Sequence, residues 1–161
     1  MPDIFTEPDV MTALASLFNI HKNERICVIG TMCCGKTTLI RRLSQYNCVD
    51  VDDEFWHRIP EEKIRYLSQT PITGEIIGAV CTLMREKVTV KPGFPLFGVA
   101  IHDCDVFVYL DITNRLLKEH CEKRGDTTLS DALFVKKYIE EEISIYRHKN
   151  DKAFCSLTIK E

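Results

Sequence analysis

The segment at residues 25–43, RICVIGTMCCGKTTLIRRL, constrains the fold of this chain more than any other. Ile26, Cys27, Val28 and Ile29 form the unbroken apolar run of a strand buried on both faces. Leu39, Ile40 and Leu43 then recur at helical spacing, which predicts a helix over 36–46. Between strand and helix, Gly30-Thr31-Met32-Cys33-Cys34-Gly35-Lys36-Thr37 matches G-x-x-x-x-G-K-[ST], the spacing of a phosphate-binding loop. Glycine lets backbone close around an anion because no Cβ stands in the way. Successive N–H groups then point inward, and the positive end of the following helix adds to their field. On this reading Gly30, Thr31, Met32, Cys33, Cys34, Gly35, Lys36, Thr37 and Thr38 bind the phosphates of a nucleotide. Lys36 is the expected catalytic cation at the β- and γ-phosphates, and the Thr37 hydroxyl an expected Mg²⁺ ligand.

Composition narrows the setting. A chain of 161 residues, 45% hydrophobic, is long enough to build a core without disulfides and too apolar for disorder. It is expected to form a single domain over 1–161, with 1–22 supplying a helix packed on the core. No apolar stretch is long enough to span a membrane, and the N-terminus lacks the basic-then-apolar layout of a signal peptide. A net charge of −3 argues against a broad surface for nucleic acid or anionic lipid. A cytoplasmic protein follows, monomeric or homodimeric, with no nucleic-acid or membrane partner. The chain holds 8 cysteines but no C-x-x-C pair, and Cys33 and Cys34 are too close for ordinary metal-ligand spacing. Most are expected to be small buried hydrophobes in a reducing compartment. Cys33 and Cys34 either fill space beside the loop or include a reactive thiol, since Cys34 sits just before a helix N-terminus whose positive potential favours thiolate.

Along the chain, an amphipathic helix is expected over 8–19, with Pro8 near its first turn and Val10, Leu14, Leu17 and Phe18 on one face. A strand at 25–29 and a second at 48–51 follow, then helices at 61–68 and 72–86. A short strand is expected at 87–90, with KPGFPLFG after it as a loop. VFVYL at 106–110 is the clearest strand. A helix over 113–124 should stop at Gly125, and a helix over 130–147 precedes a last strand in AFCSLTI. Strands alternating with helices predict a three-layer α/β/α fold with a central parallel sheet of about five strands. Ligands bind where such strands end.

The guanine-specifying [NT]-K-x-D is missing, since His148-Lys149-Asn150-Asp151 has the wrong first residue and precedes a strand. VFVYLD ends in Asp111 alone rather than the acidic pair of a motor ATPase. With DVDD after the second strand and YLDITNRLLKEHCEKRG after the fourth, residues 24–160 resemble the small P-loop kinases, the shikimate, gluconate, adenylate and nucleoside kinase group. The resemblance implies ATP and Mg²⁺ as cofactors and γ-phosphoryl transfer to a small-molecule acceptor. Asp50-x-Asp52 resembles the D-x-D of shikimate kinases. That implies Asp52 as base or acceptor ligand and Asp50 as a Mg²⁺ ligand through water, with Asp53 able to take either role if the register shifts; the same acidic run also fits an N-terminal cap for the next helix. Arg124 falls on the second arginine of the family's L-x-x-R-x-x-x-R, a lid group acting on the transferring phosphoryl; His120 replaces the first, which packs on adenine. An expected FR pair is absent and KPGFPLFG replaces a glycine triplet, so the acceptor differs from shikimate. Trp56, His57, Arg58 and Arg65 stand where the family places its acceptor-binding helices. Arg58 or Arg65 could grip a carboxylate or phosphate, Trp56 fits the core equally well, and FPLFG is a candidate pocket wall or a mere turn. The alternatives are a nucleotide-binding regulatory protein without turnover, or a slow nucleoside-triphosphatase.

Overall fold

The computed structural model of the chain describes residues 3–160. Its elements run β1 (Asp3–Thr6), α1 (Glu7–Ile20), β2 (Ile26–Ile29), α2 (Lys36–Arg42), β3 (Val49–Asp50), α3 (Val51–Phe55), α4 (Glu61–Leu67) and α5 (Gly74–Lys87). They continue with β4 (Leu96–Gly98), β5 (Val106–Ile112), α6 (Asn114–Arg124), α7 (Leu129–Lys149) and β6 (Ala153–Lys160). The strands form one parallel sheet in the order β1-β6-β5-β2-β4-β3. The architecture is therefore the expected α/β one. Its sixth strand is β1, a short edge partner of β6.

Alternation along the strands builds two cores. Cys27 and Ile29 of β2, with Phe107 and Tyr109 of β5, face α3, α4, α5 and α7. Ile26 and Val28, with Val106, Val108 and Leu110, face α1, α2 and α6. Val10, Leu14 and Phe18 of α1 are buried in the second core, as their helical spacing predicts. The Pro8 side chain lies outside the described residues. Thr73, Thr113 and Thr128 cap α5, α6 and α7 by accepting from backbone N–H groups three residues on, contacts worth about 1 kcal/mol each. Gly125 ends α6 at φ 78°, the left-handed position that glycine takes without strain.

Several boundaries differ from the sequence reading, and Val51, expected to end a strand, opens α3. Residues 87–90 are not a sheet strand; β4 lies at Leu96–Gly98, inside the stretch expected to be a loop. Its turn residues occupy only the first half, where Lys91 pairs with Phe94, and Gly93 takes φ 81°. Pro95 falls just before the strand, so its missing N–H costs no ladder bond, and its carbonyl accepts from Val49 N–H at 2.8 Å. The helix expected over 36–46 is α-helical only to Arg42 and closes with a 3₁₀ turn at Ser44–Tyr46. Among the described residues no helix is long and apolar enough to cross a membrane.

Candidate functional site

The candidate phosphate loop, residues 30–37, leaves β2 at the middle of the sheet, between β5 and β4. Its start is anchored from below. Gly30 N–H donates to the Gly98 carbonyl at 3.0 Å, and the fully buried Thr31 hydroxyl donates to the Ala132 carbonyl of α7 at 2.6 Å. A Cβ on Gly30 would lie 2.5 Å from the Cys34 Sγ and 3.2 Å from the Leu110 Cβ, so glycine is required there. Gly35 has φ 101° and open space around it, and it gives α2 no side-chain cap. The first-turn N–H groups of α2 are thus left without a side-chain acceptor, as an anion cradle requires. Lys36 folds back over the loop, donating to the Gly30 and Thr31 carbonyls at 2.5 and 2.7 Å.

A cavity of about 830 Å³ opens above the loop. Met32, Cys33, Cys34, Gly35, Lys36, Thr37 and Thr38 line it, together with Asp50, Asp52, His120 and Arg124. Gly30 and Thr31 lie beneath the cradle and hold it rather than facing the space. The elements that deliver the two aspartates do so by simple geometry. Asp50 ends β3 and is the N-cap of α3, its Oδ1 accepting from Asp52 N–H at 3.0 Å. It is therefore a helix cap and a cavity residue at once. Burial raises its carboxyl above the ordinary 3.8, opposed by that hydrogen bond and by the Lys36 charge. Asp52 Oδ1 accepts from Trp56 Nε1 at 3.0 Å, which fixes both side chains. Asp53 is exposed and does not line the cavity.

Helix α6 closes the other side. His120 Nδ1–H donates to the Cys33 carbonyl at 2.8 Å, and Arg124 Nη1 stands 3.7 Å from the Cys33 Sγ. Arg124 also pairs with Asp126 at 2.8 Å. These contacts hold Cys33 at φ 64°, a left-handed conformation costing a non-glycine residue on the order of 1–2 kcal/mol. Other candidates are spent elsewhere. Arg58 donates to the Lys87 carbonyl at 2.7 Å and pairs with Glu54, and neither it nor Arg65 lines the cavity. Asp111 pairs with Lys136 at 3.2 Å. FPLFG contributes only its last residue, Gly98, to the lining; Trp56, which follows the acidic motif, lines it, and Arg42 and Lys123 line it without having been singled out as site residues. A charged residue on a half-exposed helix face carries no mark in sequence of the cavity it borders. Magnesium needs only one or two carboxylates beside phosphate oxygens and water, so Thr37 and Asp50 on one cavity fit it.

The two loop thiols separate. Cys34 is 2% exposed and packed against Gly30, while Cys33 is half-buried at the cavity wall. Burial pushes Cys81 up to about 12 and Cys121 up to about 11, which keeps both as unreactive thiols. A brief iodoacetamide pulse is expected to label Cys33 ahead of every buried cysteine, with ATP·Mg²⁺ slowing it. Mass mapping reads this; equal labelling with and without nucleotide would place Cys33 outside the ligand's reach.

Neither protein-family models nor curated proteins match the chain. Among solved structures it is similar to a gluconokinase from Sinorhizobium meliloti 1021, at 14% identity and a TM-score of 0.48, covering 88% of this chain and 85% of that one. At that identity the likeness concerns the fold alone.

Proposed function

We propose that this chain is a single-domain cytoplasmic P-loop kinase that transfers the γ-phosphoryl of ATP to a small-molecule acceptor. The observation that carries the proposal is the meeting of Lys36 and Thr37 with Asp50 and Asp52 on one cavity. A phosphate loop alone serves many nucleotide-binding proteins. A carboxylate facing it from the next strand supplies what a kinase needs in addition.

Bound ATP·Mg²⁺ would supply the phosphoryl group and the divalent charge. Lys36 and the uncapped N–H groups of α2 would hold the phosphates, and Thr37 and Asp50 would hold the metal. Asp52 orients the acceptor and takes up its proton, with Trp56 fixing the carboxylate. His120 contributes an imidazole beside the nucleotide. Arg124 bears on charge that develops during transfer. ATP consumption measured against sugars, nucleosides, nucleoside monophosphates and small acids tests the proposal. Phosphate release without any acceptor would make the chain a nucleoside-triphosphatase, and ATP binding without turnover a regulatory protein.

Arg124 allows a sharper test. Its side chain is half exposed and bound to Asp126, so ground-state ATP affinity is expected to change little in Arg124→Ala. Turnover should fall on the order of 10²-fold, as for loss of a group that stabilises developing charge. Isothermal titration beside initial rates checks the split. Parallel losses in both would assign Arg124 to ground-state binding.

A further inference from the structure

The charges around the cavity are segregated. Among the described residues, every lysine and arginine that lines it comes from α2 or α6: Lys36, Arg42, Lys123 and Arg124, with the His120 imidazole beside them. On the α3–α5 side, beyond Asp52, the lining is apolar and includes Trp56, Leu67, Ile72, Ile76 and Val80. Among the described residues no lysine, arginine or histidine lines that side. The two arginines that follow the acidic motif do not reach it, and Arg58 is held by the Lys87 carbonyl and Glu54.

An acidic acceptor would have to bring its own charge into this apolar space, facing Asp52 and meeting no cation. Burying an unpaired charge is among the costliest events in a binding site. An apolar body loses nothing there and gains from the area it covers. One hydroxyl suffices for orientation, since Asp52 is the polar group at the boundary between the two halves. We infer that the acceptor is an uncharged alcohol with an apolar or aromatic body, bound against Trp56, Ile72 and Ile76. This rests on the kinase reading above for the phosphoryl transfer, but the binding preference follows from the lining alone.

Trp56 is the chain's 1 tryptophan, so its fluorescence reports binding on this side without any need for turnover. Matched probes separate charge from shape: 1,4-benzenedimethanol against 4-(hydroxymethyl)benzoate, and thymidine against its 5′-monophosphate. Each is titrated in the presence of ADP·Mg²⁺, and transfer from ATP·Mg²⁺ is measured separately. The neutral member of a pair is expected to perturb Trp56 and to bind at least about 10-fold more tightly than its acidic partner. Ile72 is half-buried, and its backbone N–H, not its side chain, bonds Asp131. Ile72→Arg should therefore fold and reverse the preference within a pair. Equal or tighter binding of the acidic members, or no response to either neutral probe, would overturn the inference. Neutral probes that bind but are never phosphorylated would leave it standing and defeat the kinase reading instead.

Discussion

Lys36→Ala is expected to lose about 10- to 150-fold in ATP·Mg²⁺ affinity, with turnover falling at least as far. The range follows from about 1.5–3 kcal/mol for a hydrogen bond to a charged group. The fold should survive, because Lys36 touches only the Gly30 and Thr31 carbonyls and the Cys34 sulfur, and it belongs to neither core. A circular dichroism melt unchanged from the parent, beside a titration with nucleotide, checks both halves. Unchanged nucleotide binding would end the phosphate-loop reading.

Asp52→Asn is expected to separate chemistry from binding. Asparagine keeps the shape of the side chain and can still accept from Trp56 Nε1, which now lies 3.0 Å from the carboxylate. What it loses is the charge that orients the acceptor and takes its proton, a loss of about 10² to 10⁴ in rate. ATP affinity should hardly move, since the phosphates are held by the loop. Asp53→Asn should be near normal, because that side chain is exposed and away from the cavity. A normal Asp52→Asn with a dead Asp53→Asn would shift the acidic register by one. Were both normal, the acidic run would be a helix cap only, a role that Asp50 already fills.

The elements legible in sequence were those with a strong local pattern. The run from Ile26 to Ile29, the glycines at 30 and 35, VFVYL at 106–110 within β5 and the Gly125 cap each carry their own signal. β4 was hidden, because three residues following Pro92, Gly93 and Pro95 look like the end of a turn. Its strand character comes from its neighbours: Leu96–Gly98 pairs with β2 on one side and Val49–Asp50 with it on the other. β1 was hidden for the same reason, being four residues whose pairing with β6 bridges almost the whole length of the chain.

The site divides in the same way. Lys36, Thr37 and the flanking glycines could be picked out from spacing alone, because a phosphate cradle is made of consecutive residues and its rules are local. Asp50 and Asp52 could be picked out as candidates, but not told apart from Asp53, since all three stand within one turn of chain. Only the packing of α3 through Val51 and Phe55 put Asp52 on the cavity and Asp53 off it, both side chains being exposed. The chain by itself thus determined that a phosphate loop follows a buried strand, because both depend on neighbours a few residues away. Which cations reach the cavity was decided by tertiary structure alone. Arg58 and Arg124 are both arginines near a charged motif, yet packing commits one to a backbone carbonyl and sets the other beside Cys33. A side chain's reach is set by where its helix docks, and docking depends on the whole buried surface rather than on any short stretch of sequence.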